Sequence, residues 1–132
     1  MSIVGADKIG WVHIEDRRLL VGRNEGARRF YLPGGSREEG ETDVEVLVRE
    51  AAEELGVTLD PSTARHVGSY VARRDNSADD LIFIVYSAAH TGAPRPSMEV
   101  VELRWVTSDD GDVVTDAERQ LMGTLIGRDL ID

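Results

Sequence analysis

Residues 35–57 read GSREEGETDVEVLVREAAEELGV, and two signals in them bracket a helix. Thr42 followed three residues later by Glu45 has the spacing of a capping box, in which each side chain satisfies a backbone N–H left unpaired by the first turn. Gly56 stands where a left-handed residue ends a helix. Between them the apolar residues recur at helical spacing, which predicts a helix over 43–54. At about 100° per residue, with Glu50 as zero, Glu54 falls near +40° and Glu53 near −60°, while Val44, Val48, Ala51 and Leu55 gather between about 100° and 160°. A helix of this pattern turns one apolar face to the core and carries its carboxylates on the adjacent face.

Residues 37–54 hold eight carboxylates (Glu38, Glu39, Glu41, Asp43, Glu45, Glu50, Glu53, Glu54) against two arginines, Arg37 and Arg49. A merely solvated helix face usually mixes charges one turn apart. Glu50 and Glu54 are instead a like-charged i,i+4 pair, unfavourable by a few tenths of a kcal/mol unless a cation neutralises it. The chain has no cysteine, which removes thiolate metal sites, thiol nucleophiles and disulfides. Oxygen donors alone suit a hard divalent cation, Mg²⁺ or, as the alternative, Mn²⁺. His13, His66 and His90 are isolated in sequence without ligand spacing, and structural or surface roles are expected for them.

Outward from this helix, the runs 9–14 and 18–22 flank the polar Glu15-Asp16-Arg17 and predict a hairpin; 30–32 predicts a third short strand. Further strands are expected over 65–73, 80–88 and 100–106, with a second helix over 116–127 capped by Thr115. Helices among short strands predict an α/β fold, an α/β/α sandwich around a mixed sheet. The 132 residues, 41% of them apolar, suit a single domain spanning 1–132 with its own core. The formal charge of −10 disfavours nonspecific binding to nucleic acid or to an anionic membrane. The longest largely apolar stretch, 81–89, has nine residues, well short of the roughly 20 a spanning helix needs, and no leader-like pattern opens the sequence, so a cytoplasmic protein is expected.

Gly35, five residues, Glu41, seven residues, then Arg49-Glu50-Ala51-Ala52-Glu53-Glu54-Leu55-Gly56-Val57 resembles the Nudix box, G-x5-E-x7-R-E-U-x-E-E-x-G-U with U a bulky aliphatic residue. The one departure is the small Ala51 at the first U. Leu32-Pro33-Gly34-Gly35 before the box and Glu102-Leu103-Arg104-Trp105 after it are also similar to the family. The resemblance implies hydrolysis of a pyrophosphate linkage in a nucleoside diphosphate derivative, on a loop–helix–loop unit whose glutamates hold divalent cations. It implies Glu50, Glu53 and Glu54 as metal ligands and Glu53, Glu54 and Glu99 as catalytic carboxylates, with Glu102 the rival of Glu99. It also implies Arg23, Gly34 and Gly35 as substrate-binding positions, and an Arg49–Glu41 ion pair tying the loop to the helix. Trp11, Phe30, Tyr31 and Phe83 are candidates to stack on a base, but core packing is the preferred role for most of them, and Trp105 is read as packing.

Within the family, ADP-ribose hydrolases tend to carry a proline downstream of the box, where this chain has Ala72. Dinucleoside polyphosphate hydrolases tend to carry a tyrosine slightly further on, where it has Arg73, Arg74 and Asp75. By elimination the chain is most similar to the MutT type, which converts a nucleoside triphosphate, oxidised or otherwise noncanonical ones included, to the monophosphate and pyrophosphate. ADP-ribose, nucleotide sugars and dinucleoside polyphosphates stay open as substrates, as does a catalytically silent sensor of nucleotide-linked metabolites. The partner implied is a nucleotide-type small molecule rather than nucleic acid or membrane, and many relatives are homodimers.

Overall fold

The structure, a computed structural model, describes residues 8–73 and 80–132. The central helix, α1, runs Asp43–Leu55. Thr42 Oγ1 accepts the Glu45 N–H at 3.2 Å and Glu45 Oε1 accepts the Thr42 N–H at 2.9 Å, the reciprocal bonds of a capping box. Gly56 ends the helix at φ 67°, a conformation glycine adopts without the steric penalty of a Cβ.

Nine strands accompany it among the described residues: β1 (Lys8–Val12), β2 (Ile14–Glu15), β3 (Arg18–Asn24), β4 (Gly34–Gly35), β5 (Thr58–Leu59), β6 (Arg65–Arg73), β7 (Asp80–Ser87), β8 (His90–Thr91) and β9 (Val100–Val106); the second helix, α2, runs Asp116–Gly127. They pair in the orders β4-β1-β7-β6, β2-β3-β9 and β5-β8. β1 and β7 run parallel while the other pairs are antiparallel, so the sheet is mixed as expected.

Strand alternation sorts the apolar residues onto two faces. Leu19, Val21, Phe83 and Val85 join Leu121 and Leu125 of α2 in one core. Ile9, Trp11, Leu20 and Ile84 join Val46, Leu47 and Leu55 of α1 in the other. Each sheet face is therefore covered by one helix, which makes the sandwich. Among the described residues no helix is long and apolar enough to cross a membrane.

Three local expectations change. The hairpin lies between β2 and β3, with Asp16 and Arg17 at φ 51° and 61° in its tight turn, whereas β1 leaves to pair with β4 and β7. The run 30–32 forms only isolated bridges, Phe30 to Val114 and Tyr31 to Gly22, and the paired segment is the Gly34–Gly35 that follows. Thr115 precedes α2 without a side-chain cap bond; its hydroxyl donates to Glu118, whose other oxygen accepts the buried Leu32 N–H at 2.9 Å. A tertiary demand thus displaced the local cap.

The loop before α1 is fastened by a buried charge. Asp43 is 0% exposed, and its two oxygens accept from Arg37 Nη2 at 2.6 Å and from the Tyr86 hydroxyl at 2.7 Å. Burial first, and then this bond to Asp43, push the Tyr86 hydroxyl up to about 12. Removing one partner of a buried charge pair costs about 3–5 kcal/mol. Asp43→Ala is therefore expected to lower the melting temperature by on the order of 10–20 °C, and Tyr86→Phe by a few degrees. Calorimetry checks this; a loss in Asp43→Ala no larger than in Tyr86→Phe would contradict the anchoring role.

Candidate active site

α1 brings Glu50 and Glu54, one turn apart, against the backbone of β4. Gly34 N–H donates to Glu54 Oε1 at 3.3 Å. A Cβ on Gly35 would lie 2.6 Å from Glu50 Oε1, and one on Gly34 would lie 2.0 Å from Ile9 O, with Gly34 at φ 151°. Gly34 is required by the strand it pairs with, whereas at Gly35 a Cβ would push the flexible end of Glu50 aside. The buried residues of α1 are Asp43, Val46, Leu47, Ala51, Glu54 and Leu55, while Val44 and Val48 are only half-buried. The carboxylates therefore do not form a separate wet face: Glu54 sits within the buried face, Glu50 is half-buried, and Glu53 is exposed.

Glu54 is 7% exposed. Burial, followed by the hydrogen bond and charge of Glu50, raises its carboxyl well above the usual carboxylate range, against the opposing pull of Lys8. Lys8 lies with Nζ 4.5 Å from the centre of the Tyr31 ring. The Tyr31 hydroxyl accepts from Asn24 N at 3.2 Å, and burial raises its pKa, with charges from both Glu54 and Arg23 acting on it.

Arg49 is the cation at the centre of the loop. It donates to both oxygens of Glu41 at 2.8 and 2.9 Å, to Ser36 O at 3.1 Å and to Glu50 Oε1 at 2.7 Å, and stands 3.7 Å from Glu53. Bonds from Arg49, and then from the Glu38 backbone, hold Glu41 down to about 2. The same bond to Glu41 raises Arg49 above its ordinary value. The guanidinium thus reaches Glu50 as well as fastening the loop.

The other candidates separate. Arg23 faces Glu102 across the β3–β9 register and bonds it at 3.0 and 3.1 Å, with a further bond to Ala27 O at 3.1 Å. Glu99 is exposed at the end of a loop tied to the end of α1 through Arg95 N–H to Leu55 O and Ser97 N–H to Glu54 O, both 3.0 Å. Trp11, Phe30 and Phe83 are buried and Trp105 half-buried, as core packing predicts; Tyr31 is half-buried beside the glutamates. Ala72 is buried in β6, and Arg74 and Asp75 lie outside the described residues. Lys8 escaped sequence reasoning because it is far from the box in the chain and arrives only through the pairing of Ile9 with Gly35. His13 and His90 are not isolated in space, their rings lying 4.5 Å apart.

The donor set fits a divalent cation. A half-buried and a buried carboxyl meet here; Arg49 bonds Glu41 and Glu50, while the charge of Lys8 acts on Glu54. Carboxyl oxygens are the donors a hard ion takes.

A family model described as NUDIX domain matches residues 8–123. The MutT NUDIX hydrolase structure from Burkholderia pseudomallei superposes with TM-score 0.74 at 27% identity, covering 89% of this chain and 95% of that one. A UDP-X diphosphatase structure shares the fold at TM-score 0.72 and 18% identity, over 97% of this chain and 66% of that one. The nucleoside triphosphate pyrophosphatase/Nudix hydrolase fusion protein of Bifidobacterium longum is 34% identical over 80 residues, 60% of this chain but only 16% of that much longer protein. With the carboxyls of α1 gathered on the β4 backbone and the domain match running over both cores, the chain belongs to the Nudix family.

Proposed function

We propose that this chain hydrolyses a nucleoside triphosphate to the monophosphate and pyrophosphate, with Mg²⁺, or Mn²⁺ in its place, as cofactor. The observation that carries this is the buried Glu54 carboxyl beside Glu50 on the Gly34–Gly35 backbone, with Lys8 close enough to act on it. The triphosphate is favoured by the likeness to the Burkholderia MutT NUDIX hydrolase and by Ala72 in place of the proline of ADP-ribose hydrolases.

In this assignment Glu50, Glu53 and Glu54 hold the ion. Once bound, a divalent cation supplies charge neutralisation to the polyphosphate and acidity to a water. Lys8, over the Tyr31 ring, and Arg23, released from Glu102, supply positive charge to the phosphates, and the Tyr31 ring offers a stacking surface. Gly34 and Gly35 keep the floor of the site open. Water oxygen bonds to phosphorus, the bond to the leaving pyrophosphate oxygen breaks, and Glu99 accepts the released proton. Arg49 and Glu41 position the loop and touch no substrate. A small-molecule nucleotide is the only partner this chemistry needs, and a cytoplasmic location suits it.

Phosphorus NMR of a triphosphate reaction is expected to show pyrophosphate as the product; orthophosphate alone would remove the assignment. Glu54→Gln should lower turnover by on the order of 10²-fold or more with the fold intact, whereas Glu38→Gln should do little. Glu99→Gln should lower turnover with Mg²⁺ affinity unchanged; weakened affinity would make Glu99 a ligand.

Metal binding also has a thermal signature. Mg²⁺ at one hundred times its dissociation constant should stabilise the native state by about 2.7 kcal/mol, on the order of 10 °C in melting temperature. Monovalent salt at equal ionic strength should give less. The double variant Glu53→Gln with Glu54→Gln should melt slightly higher without metal and lose most of the Mg²⁺ increment; an intact increment would place the ion elsewhere.

The raised Glu54 carboxyl fixes a pH dependence. Folded protein keeps this proton above pH 4.5, where an ordinary glutamate in the unfolded chain has lost it. The resulting stability is fully present below that pH and is lost as pH rises through the folded pKa, by up to about 1.4 kcal/mol per pH unit for one proton. His90, lowered from 6.5 chiefly by burial, contributes the opposite slope near that value. The diagnostic is thus the difference between variants. From pH 5 to 8 the metal-free wild type should lose melting temperature relative to Glu54→Gln, and saturating Mg²⁺, which replaces the proton, should reduce that difference. Parallel curves for the two metal-free proteins would refute it.

A further inference from the structure

His13, Glu15 and His90 each offer one ligand atom, and those atoms all lie within 4.8 Å of one another. His13 follows β1, Glu15 lies in β2 and His90 opens β8, so the group joins segments from three separately hydrogen-bonded sheets. The side chains are held rather than loose. His13 Nε2 is 2.6 Å from Glu15 Oε2, with the histidine side chain only 12% exposed. The His13 ring stacks on Trp11 at 4.8 Å and 6°, and the His90 ring meets the same indole edge-on at 5.2 Å. Trp11 is itself 1% exposed and donates from Nε1 to Ala88 O at 3.2 Å. One fixed indole therefore orients both imidazoles, whose centres are 4.5 Å apart.

An ordinary surface ion pair explains His13 with Glu15, but it leaves the second imidazole, packed ring to ring with the first, without a purpose. We propose that His13, Glu15 and His90 form a second metal site, selective for divalent transition ions of the Zn²⁺, Co²⁺ and Ni²⁺ class and distinct from the glutamate centre. Two imidazoles and one carboxylate are the donors such ions prefer, whereas Mg²⁺ takes oxygen. Metal–nitrogen bonds of about 2.0–2.1 Å put neighbouring ligand atoms roughly 3.0–3.5 Å apart. The 2.6 Å pair has to open slightly and the widest pair to close; Glu15, 51% exposed, has room to swing. The ion would replace the shared proton between His13 and Glu15 and leave coordination positions for water. His13 is four residues along the chain from Ile9, the partner of Gly35, which is about 13 Å at strand rise. The ion would cross-link the seam between sheets rather than touch the glutamates, and binding to the folded state alone would stabilise it.

The test uses the full chain with Co²⁺ and Zn²⁺, in excess Mg²⁺ so that the glutamates are occupied. One equivalent of Co²⁺ is expected to give a visible d–d band that Zn²⁺ displaces, and Zn²⁺ should raise the melting temperature beyond the Mg²⁺ increment. Both effects should persist in Glu53→Gln with Glu54→Gln. His90→Gln should weaken binding by at least 10-fold while its far-ultraviolet dichroism and Mg²⁺ increment stay those of wild type. Should His90→Gln fail to fold, the exposed Glu15→Gln supplies the same comparison, again with at least a 10-fold loss. The proposal is overturned by the absence of a Co²⁺ band up to millimolar metal. It is equally overturned by a band that survives Glu15→Gln unchanged or disappears with the two glutamates of α1.

Discussion

A close approach of backbone to backbone sets the terms for everything around it. β4 is two glycines long: a Cβ on Gly34 would run into Ile9 O at 2.0 Å, and one on Gly35 would displace the Glu50 carboxyl, 2.6 Å away. α1 can therefore lay its carboxyls directly on peptide groups, and Glu54 accepts there from the Gly34 N–H at 3.3 Å. One such bond to a charged acceptor contributes about 1.5–3 kcal/mol. Burying an ionised carboxylate costs several kcal/mol before the repulsion of Glu50 is added. The deficit explains why Glu54 retains a proton without metal, and why a cation is the natural way to release it.

Arg49 shows how the loop and the site divide one region's charge. Its guanidinium meets both oxygens of Glu41, a geometry with shape as well as charge to recommend it, and spends a further N–H on Glu50. The two glutamates at the ends of this network move in opposite directions: Glu41 is held down to about 2, and Glu54 is pushed up. The first is a satisfied structural anion. The second is an acid kept from ionising by its surroundings, and opposed perturbations around one charge network are what a candidate functional site shows.

Local chemistry was legible wherever it was decided locally. The capping box at Thr42 and Glu45, the Gly56 terminus and the strands over 65–73 and 100–106 follow from short-range spacing, and they stand as the sequence predicts. The placement of Glu50, Glu53 and Glu54 on one helix followed from the same spacing. What escaped was settled by partners distant in sequence. Periodicity named Val44 and Val48 as core, but the Gly34–Gly35 strand pulled Glu54 into the buried face instead. Thr115 is a good cap on propensity, yet the Leu32 N–H needed Glu118, and Thr115 followed it. Lys8 and the His13–His90 contact have no local signal at all, since each depends on where β1 pairs.

β1 is consequently the element that gives the molecule its chemical polarity. Its Ile9 and Gly10 pair with β4, beside the glutamate carboxyls; the chain just past its last residue carries an imidazole stacked on Trp11. Affinity alone would not keep different ions apart, because transition ions outbind Mg²⁺ at most oxygen sites too. Geometry and donor type can do so. The glutamate site sets carboxyl oxygens against a glycine backbone, donors that suit a hard ion. The imidazole pair is propped by a buried indole and has one carboxylate within reach, which suits a softer ion needing few, well-aimed donors. Strand length separates the two, since His13 lies four residues along the chain from Ile9, the partner of Gly35.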